Sequence, residues 1–213
     1  MPNLSQFPAA RLVMSLALSL AALPGCSDSN DPQSDDPEVQ AAIDEGEGSG
    51  AQISGQVDDE LNGASDEQVI SETAAIGAAL DEGEIVQAQI AVDLASSSEV
   101  RDLAQMLIDD HSANMDDAEN MLAERDMAPA ENPISDQLAS EAEDGAQALE
   151  DRPSENFDSV FLDMQVRAHA QARVVVDHFI DLVQDDEVST FWQDTRDTIE
   201  DHLDQVMDLA ARI

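Results

Sequence analysis

Four polar residues interrupt rows of apolar residues that repeat with helical spacing, and their side chains could bind a metal ion. They are Glu84, His111, His169 and His202. Imidazole nitrogens and carboxylate oxygens are ligands of Zn, Cu, Mn and Fe in proteins, so these residues are candidates for one transition-metal site. The alternative is a metal-free polar core in which each histidine is satisfied by a hydrogen bond.

The positions of these residues along their helices predict that they lie at similar heights. Glu84 stands twelve residues before a predicted turn and His111 fifteen after it, an offset of about 5 Å at the rise of an α-helix. His169 and His202 stand sixteen and seventeen residues from a later turn, on either side of it. His178 lies nine residues past His169, and steps of about 100° per residue place it on the opposite, solvent-facing side.

The spacing around the histidines differs from the dinuclear iron pattern. That pattern needs Glu-x-x-His on two helices, whereas Ile108, Val166 and Ile199 stand three residues before the three histidines. A ferroxidase or di-iron oxidase is therefore not expected.

Two aspartates lie close to the candidate ligands in the sequence. Asp81 is one turn before Glu84, which makes it a candidate for a further ligand or for a hydrogen-bond partner of a ligand. Asp110 directly precedes His111. Neighbouring residues on a helix point about 100° apart, so Asp110 cannot orient the histidine beside it.

The elements that would position these residues are helices, marked by apolar spacing and by capping residues. Ser65 with Gln68 and Ser96 with Glu99 have the pattern of capping boxes, and no segment shows the alternation of a strand. Four long helices, with a connection of roughly thirty residues between the second and third, predict an all-α, ferritin-like four-helix bundle with a short extra helix in the long connection. The predicted helices cover about residues 66–95, 98–126, 134–149, 156–184 and 187–211.

The start of the chain has the pattern of a lipoprotein signal peptide. Residues 12–23 are an apolar run of signal-peptide length, too short to span a bilayer as a helix. Leu23-Pro24-Gly25-Cys26 resembles the lipobox of bacterial lipoproteins, and Cys26 is the single cysteine. We therefore predict a signal peptide over residues 1–25 and a lipid on Cys26; the alternatives are an ordinary signal peptide or a buried N-terminal helix. Ser27 in place of Asp favours, by resemblance, an outer-membrane lipoprotein facing the periplasm.

The charge of the chain limits its partners. The 213 residues carry a net charge of −40 and contain no lysine; without residues 1–25, which hold one arginine and no acid, the charge is −41. Such a surface repels nucleic acid and anionic membranes. The predicted membrane contact is therefore the lipid at Cys26, and no particular protein partner is predicted. The spread of acids favours adaptation to a salty habitat, where salt screens their repulsion; a cation-buffering surface is the alternative.

The segment after the cysteine differs in composition from the remainder of the chain. Residues 27–64 hold eleven acids and no base, and they are rich in Gly, Ser and Pro. Such a composition is typical of disorder. We predict a lipidated cysteine and a disordered acidic tether over residues 26–64, followed by the helical domain over residues 65–213.

Short segments of four predicted helices carry a family resemblance. They are Gly83-Glu84-Ile85, Ala104-Gln105-Met106-Leu107-Ile108-Asp109-Asp110-His111, Phe157-Asp158 with Met164 and His169, and Thr198-Ile199-Glu200-Asp201-His202-Leu203. Together they resemble the family called domain of unknown function 4142, described as outer-membrane proteins with a ferritin-like helical bundle. The resemblance covers about residues 66–211, and the recurrent histidines of the family fall on His111, His169 and His202. The family usually has Leu-Pro where this chain has Arg196-Asp197, and it implies no established reaction.

Together these features predict a lipid-anchored periplasmic protein of ferritin-like fold, with a site for a transition metal and a role in envelope stress or metal handling. Two alternatives remain open: a protein-interaction module without metal, and a redox or peroxide-handling enzyme. Enzymatic turnover is less favoured, because the sequence shows no nucleophile–base pair, no glycine-rich phosphate loop and no basic patch.

Overall fold

The computed structural model describes residues 33–213, which contain six α-helices and no β-strand. Residues 1–32, which include the predicted signal peptide and Cys26, lie outside the described residues. The all-α prediction is confirmed for the described part of the chain, where no helix has both the length and the apolar character needed to cross a membrane. The helices are α1 (Pro37–Glu60), α2 (Asp66–Leu94), α3 (Ser98–Ala123), α4 (Pro133–Glu150), α5 (Phe157–Leu182) and α6 (Asp186–Ala210).

The five helices predicted from the sequence correspond to α2 through α6, and their ends differ from the predicted ends by at most three residues. Ser65 caps α2, as predicted. The cap of α3 is Ser97, which accepts the amide of Glu99, and not the predicted Ser96. The carboxylate of Asp158 in α5 binds the amides of both Ser96 and Ser97 at 2.8 Å, so it holds Ser96 outside the helix.

The prediction of a disordered tether is wrong for Pro37–Glu60, because these residues form α1 along α5. Its acidic residues lie mostly on the outer face, and Gly50 allows close packing, since a Cβ there would lie 2.6 Å from the backbone oxygen of Gln171. Helix packing depends on the spacing of the few small and apolar residues and not on their share of the composition. The folded unit therefore begins well before the predicted boundary at residue 65. The buried residues of α1 are Val39, Ala42, Ile43, Gly46, Gly50, Ile53 and Val57.

Side-chain contacts define the directions of the helices. Two contacts join α2 to α5, and rising residue numbers in one helix meet falling numbers in the other, so the two are antiparallel. The same holds for α3 and α6. Because α5 and α6 are joined by a short turn and pack against each other, α3 and α5 are parallel. The connection that contains α4 therefore crosses from one end of the helices to the other, as predicted, while α4 packs on α2.

Two hydrophobic clusters fill the interior and are separated by polar residues. In α2, Ala88 belongs to the first cluster and Ile76 to the second; in α3, Leu107 belongs to the first and Leu122 to the second. The predicted site residues of both helices lie between these positions. They form a buried polar layer, whose groups need hydrogen-bond partners or a ligand, because an unpaired buried polar group is costly.

Candidate metal centre

Three of the four predicted ligands converge between the two hydrophobic clusters. His111 of α3, His169 of α5 and His202 of α6 each bring one ring nitrogen to within 4.8 Å of the other two. The ring centroids are 5.6 Å apart for His111 and His169 and 5.3 Å apart for the other two pairs. All three residues are buried. The grouping predicted from apolar rows and heights is therefore confirmed for the histidines.

In each histidine, one ring nitrogen lies within hydrogen-bond distance of an oxygen outside the cluster. Nδ1 of His111 lies 2.8 Å from Oδ1 of Asp81 in α2, and Nε2 of His202 lies 3.0 Å from Oδ2 of Asp110 in α3. Nδ1 of His169 lies 2.9 Å from the backbone carbonyl oxygen one turn earlier in α5. Because an oxygen acceptor needs an N–H, we assign the ring protons to these three outer nitrogens.

The other ring nitrogens have no oxygen acceptor. Nε2 of His169 lies 3.3 Å from Nδ1 of His202, and Nε2 of His111 is buried without a hydrogen-bond partner. Burial lowers the pKa of His169 to about 3, and burial together with the neighbouring His169 lowers the pKa of His202 to about 4. Both rings are therefore neutral at pH 7. With the protons on the outer nitrogens, the inner nitrogens of His169 and His202 each present a lone pair to the cluster. The inner nitrogen of His111 does so when that ring is neutral.

The ring of His111 is held by a hydrogen-bond network that joins three helices. Burial lowers its pKa, but the hydrogen bond that His111 donates to Asp81 and the nearby carboxylates outweigh this effect, so the pKa is raised overall. The second oxygen of Asp81 accepts a hydrogen bond from the Asn114 amide at 2.7 Å. The amide oxygen of Asn114 in turn accepts one from the hydroxyl of Thr195 at 2.8 Å. This network orients His111 before any ligand binds.

Glu84 lies beside the cluster and not within the group of converging nitrogens. Its Oε1 is 3.5 Å from Nδ1 of His169, which is an outer nitrogen, and its Oε2 is buried without a hydrogen-bond partner. Burial raises the pKa of Glu84 to about 7, against the opposing effects of His111 and His202. Glu84, His111 and His169 also line a cavity of about 20 Å³, which is large enough for one water molecule.

The partners of the histidines were found only in part by sequence reasoning. Asp81 was a candidate partner of a ligand, and it bonds His111. Asp110 does not orient its neighbour His111, as predicted, but it bonds His202 on another helix. The only signal for that role is that Asp110 lies next to an inward-facing residue. The apolar spacing does not give the relative rotation of α3 and α6, which decides the contact.

The fourth histidine lies away from the centre, on the opposite side of α5. Nε2 of His178 is 3.1 Å from Oδ1 of Asp58 in α1, and its side chain is 20% exposed. The sequence predicted a solvent-facing residue here. The structure shows that α1, which was predicted to be disordered, covers part of it.

The arrangement of the inner nitrogens fits a single metal ion. Around a tetrahedral ion with metal–nitrogen bonds of about 2.0 Å, two ligand nitrogens lie about 3.3 Å apart, which is the distance between His169 and His202. The three nitrogens spread over as much as 4.8 Å, so one ring must move inward on binding. The carboxylates of Asp81 and Asp110, which bond the outer nitrogens, can offset the charge of a divalent ion.

Comparison with known proteins identifies one family. No curated protein and no solved structure matches the chain. The family profile described as Domain of unknown function (DUF4142) matches residues 54–209, a range that begins in α1, ends in α6 and includes the three converging histidines. Because this match covers more than half of the chain, the protein belongs to the DUF4142 family.

Proposed function

We propose that the protein binds one transition-metal ion through Nε2 of His111, Nε2 of His169 and Nδ1 of His202. One observation carries the proposal: three inner nitrogens converge while each outer nitrogen already has an oxygen acceptor. Histidines that bind metals commonly donate their second N–H to a carboxylate or a backbone carbonyl in this way. We further propose that the helices α2, α3, α5 and α6 form a ferritin-like bundle around this centre.

A metal-free polar core explains the same contacts less well. A hydrogen bond between His169 and His202 needs a proton on one of their inner nitrogens. In a neutral ring, that proton must leave the outer nitrogen, so a buried carbonyl or the carboxylate of Asp110 would lose its donor. Losing one such hydrogen bond costs about 0.5–1.5 kcal/mol, and about 1.5–3 kcal/mol where the acceptor is the charged carboxylate. The inner nitrogen of His111 would also stay without a partner, whereas a metal ion satisfies all three.

The donor set favours zinc or copper over manganese or iron. The converging group consists of three imidazoles and contains no carboxylate. Imidazole suits zinc and copper, manganese prefers oxygen ligands, and mononuclear iron sites often combine two histidines with a carboxylate. Glu84, with one buried oxygen free and a cavity shared with two of the histidines, is placed to complete the site as a ligand or as the acceptor for a bound water.

Thermal denaturation with added metal tests this proposal. Zinc or copper at a concentration well above its dissociation constant should raise the melting temperature of the purified protein, because an ion that binds only the folded state stabilises it. The variant His169→Ala should lose this shift. His178→Ala, which removes the histidine outside the centre, should keep it. If neither metal stabilises the wild type, or if both variants respond alike, the proposed site is wrong.

We also propose that the protein is held at the outer membrane, on the periplasmic side, by a lipid on Cys26, where it handles metal ions for the cell envelope. The signal-like residues 12–23 and the single cysteine after a lipobox-like sequence support this location. Wild-type protein should incorporate a labelled fatty acid and fractionate with outer membranes, and Cys26→Ser should do neither. Recovery of Cys26→Ser in the membrane fraction at wild-type levels would contradict the anchor.

A further inference from the structure

We propose that a groove between α3 and α6 is the route by which the metal ion enters and leaves, a role that rests on the proposed metal site. The groove has a volume of about 390 Å³, and His202, one of the proposed ligands, forms part of its lining. We call it the entry groove. Its acidic lining residues are Asp110, Asp117, Asp194 and Asp201.

The burial of the ligands makes a route of this kind necessary. His169 is fully buried, and His111 and His202 expose only 7% and 2% of their surface. Asp110 connects solvent to the centre: its side chain is 47% exposed, and its Oδ2 lies 3.0 Å from Nε2 of His202. A cation held at Asp110 is therefore separated from the inner nitrogens by a single imidazole ring.

The charge of the entry groove suits a metal cation. Four carboxylates line it, and none of the described residues in its lining is an arginine. A cleft lined by one sign of charge concentrates the electric field and raises association rates by about 10- to 1000-fold. Asp117 and Asp194 lie on the exposed parts of the two helices, so they would attract the ion before it reaches Asp110.

A charge-neutralising double variant tests the role of the acids. Asp117→Asn with Asp194→Asn removes one carboxylate from each wall and leaves Asp110 and the histidines unchanged. The matched control is Asp102→Asn with Asp208→Asn, which removes one carboxylate from each of the same helices. The control pair lines another pocket, which has no histidine in its lining. Because each variant replaces two aspartates, both change the net charge equally.

The association rate of Zn²⁺ with the metal-free protein is measured by stopped flow at low and high ionic strength. We expect the entry-groove variant to bind about tenfold more slowly at low ionic strength and the control less than about twofold more slowly. The difference should shrink in high salt, which screens the charges. Equal slowing by both variants would show that only the net charge matters, and it would overturn the proposal.

A bulky residue in the groove provides a second test that does not depend on charge. Ala113 is an exposed residue of the groove lining, and Ala113→Trp should partly fill the groove. If the ion passes through it, association and dissociation should slow by the same factor, several-fold or more, and the dissociation constant should stay within about twofold, because a barrier does not change the end states. Unchanged rates in this variant would also overturn the proposal.

Failure of the entry groove and failure of the metal site give different results. If the wild type does not bind Zn²⁺ through histidines, the proposed function is wrong and the groove has no role. If it binds Zn²⁺ normally and the groove variants bind at unchanged rates, the metal site stands and only the entry route is wrong.

Discussion

At the scale of single residues, the centre depends on which nitrogen of each imidazole faces inward. That orientation is set by one oxygen per ring, from Asp81, Asp110 and a backbone carbonyl. The sequence could predict that three histidines share a level, because apolar neighbours reveal the inward face of a helix. It could not predict the hydrogen bonds from His111 to Asp81 and from His202 to Asp110, which fix the tautomers of these two rings. They depend on how helices far apart in the sequence are rotated against each other.

Replacing the partner of His111 should weaken metal binding without removing a ligand. In Asp81→Asn, the charge is lost, and the side-chain amide can no longer accept from both His111 and Asn114. We expect the dissociation constant for Zn²⁺ to rise by about 10- to 100-fold, measured by competition with a chelator. The adjacent exposed variant Glu82→Gln is the control. Wild-type affinity in Asp81→Asn would show that the hydrogen bond does not support the ligand.

Glu84 should make the stability of the metal-free protein depend on pH. Burial raises its pKa from 4.5 to about 7 in the folded state, so between these pH values the folded protein binds the proton more strongly. The stabilisation is complete below pH 4.5 and is lost as the pH rises through 7. Glu84→Gln removes this loss, so its free energy of unfolding relative to wild type should rise by about 3 kcal/mol from pH 4.5 to pH 8.

Urea denaturation of both proteins with a chelator present gives this difference at each pH. Titrating groups that do not interact with Glu84 are common to the two proteins, so their effects cancel in the comparison. The pKa of His111 is raised in part by Glu84, so its contribution is included in the measured difference. A constant difference between wild type and Glu84→Gln across this pH range would show that Glu84 titrates normally.

At the scale of elements, the helices that hold the histidines could be predicted from the sequence, whereas α1 could not. The ends of α2 through α6 could be predicted because long apolar rows and turn residues mark them. In α1, small residues such as Gly46 and Gly50 replace most large apolar ones, so the composition suggests disorder. The role of these glycines depends on α5, because they let the backbones of the two helices approach closely.

Glycine variants of α1 should separate packing from helix propensity. A Cβ at Gly46 would overlap the backbone of Arg167 and lie 2.8 Å from Cβ of Ala170, whereas a Cβ at Gly48 meets nothing within 4 Å. Gly46→Ala should therefore destabilise the protein by about 1–3 kcal/mol, and Gly48→Ala should stabilise it by up to about 1 kcal/mol. Urea denaturation of the two variants and the wild type measures both changes in the free energy of unfolding. Stabilisation by Gly46→Ala would mean that α1 does not pack closely on α5.

At the scale of the whole molecule, the net charge of −40 opposes the compact state, because the negative charges repel one another. Salt should relieve the repulsion. Raising NaCl from about 0.1 M to 1 M shortens the screening length from about 10 Å to 3 Å, so the melting temperature should rise by several degrees. KCl should raise the melting temperature by the same amount as NaCl, because screening depends on ionic strength. A melting temperature independent of both salts would argue against the predicted adaptation to a salty habitat.

The same charge complicates any test of metal binding, because 48 acidic residues can hold divalent ions weakly at the surface. The most direct measurement is therefore the ligand set of the bound ion, by X-ray absorption at the zinc edge on protein loaded with one equivalent of Zn²⁺. The proposed centre predicts three imidazole nitrogens at about 2.0–2.1 Å and one further light atom, in a tetrahedral arrangement. A shell made of oxygen atoms without imidazole scattering would contradict the assignment of His111, His169 and His202 as a metal site.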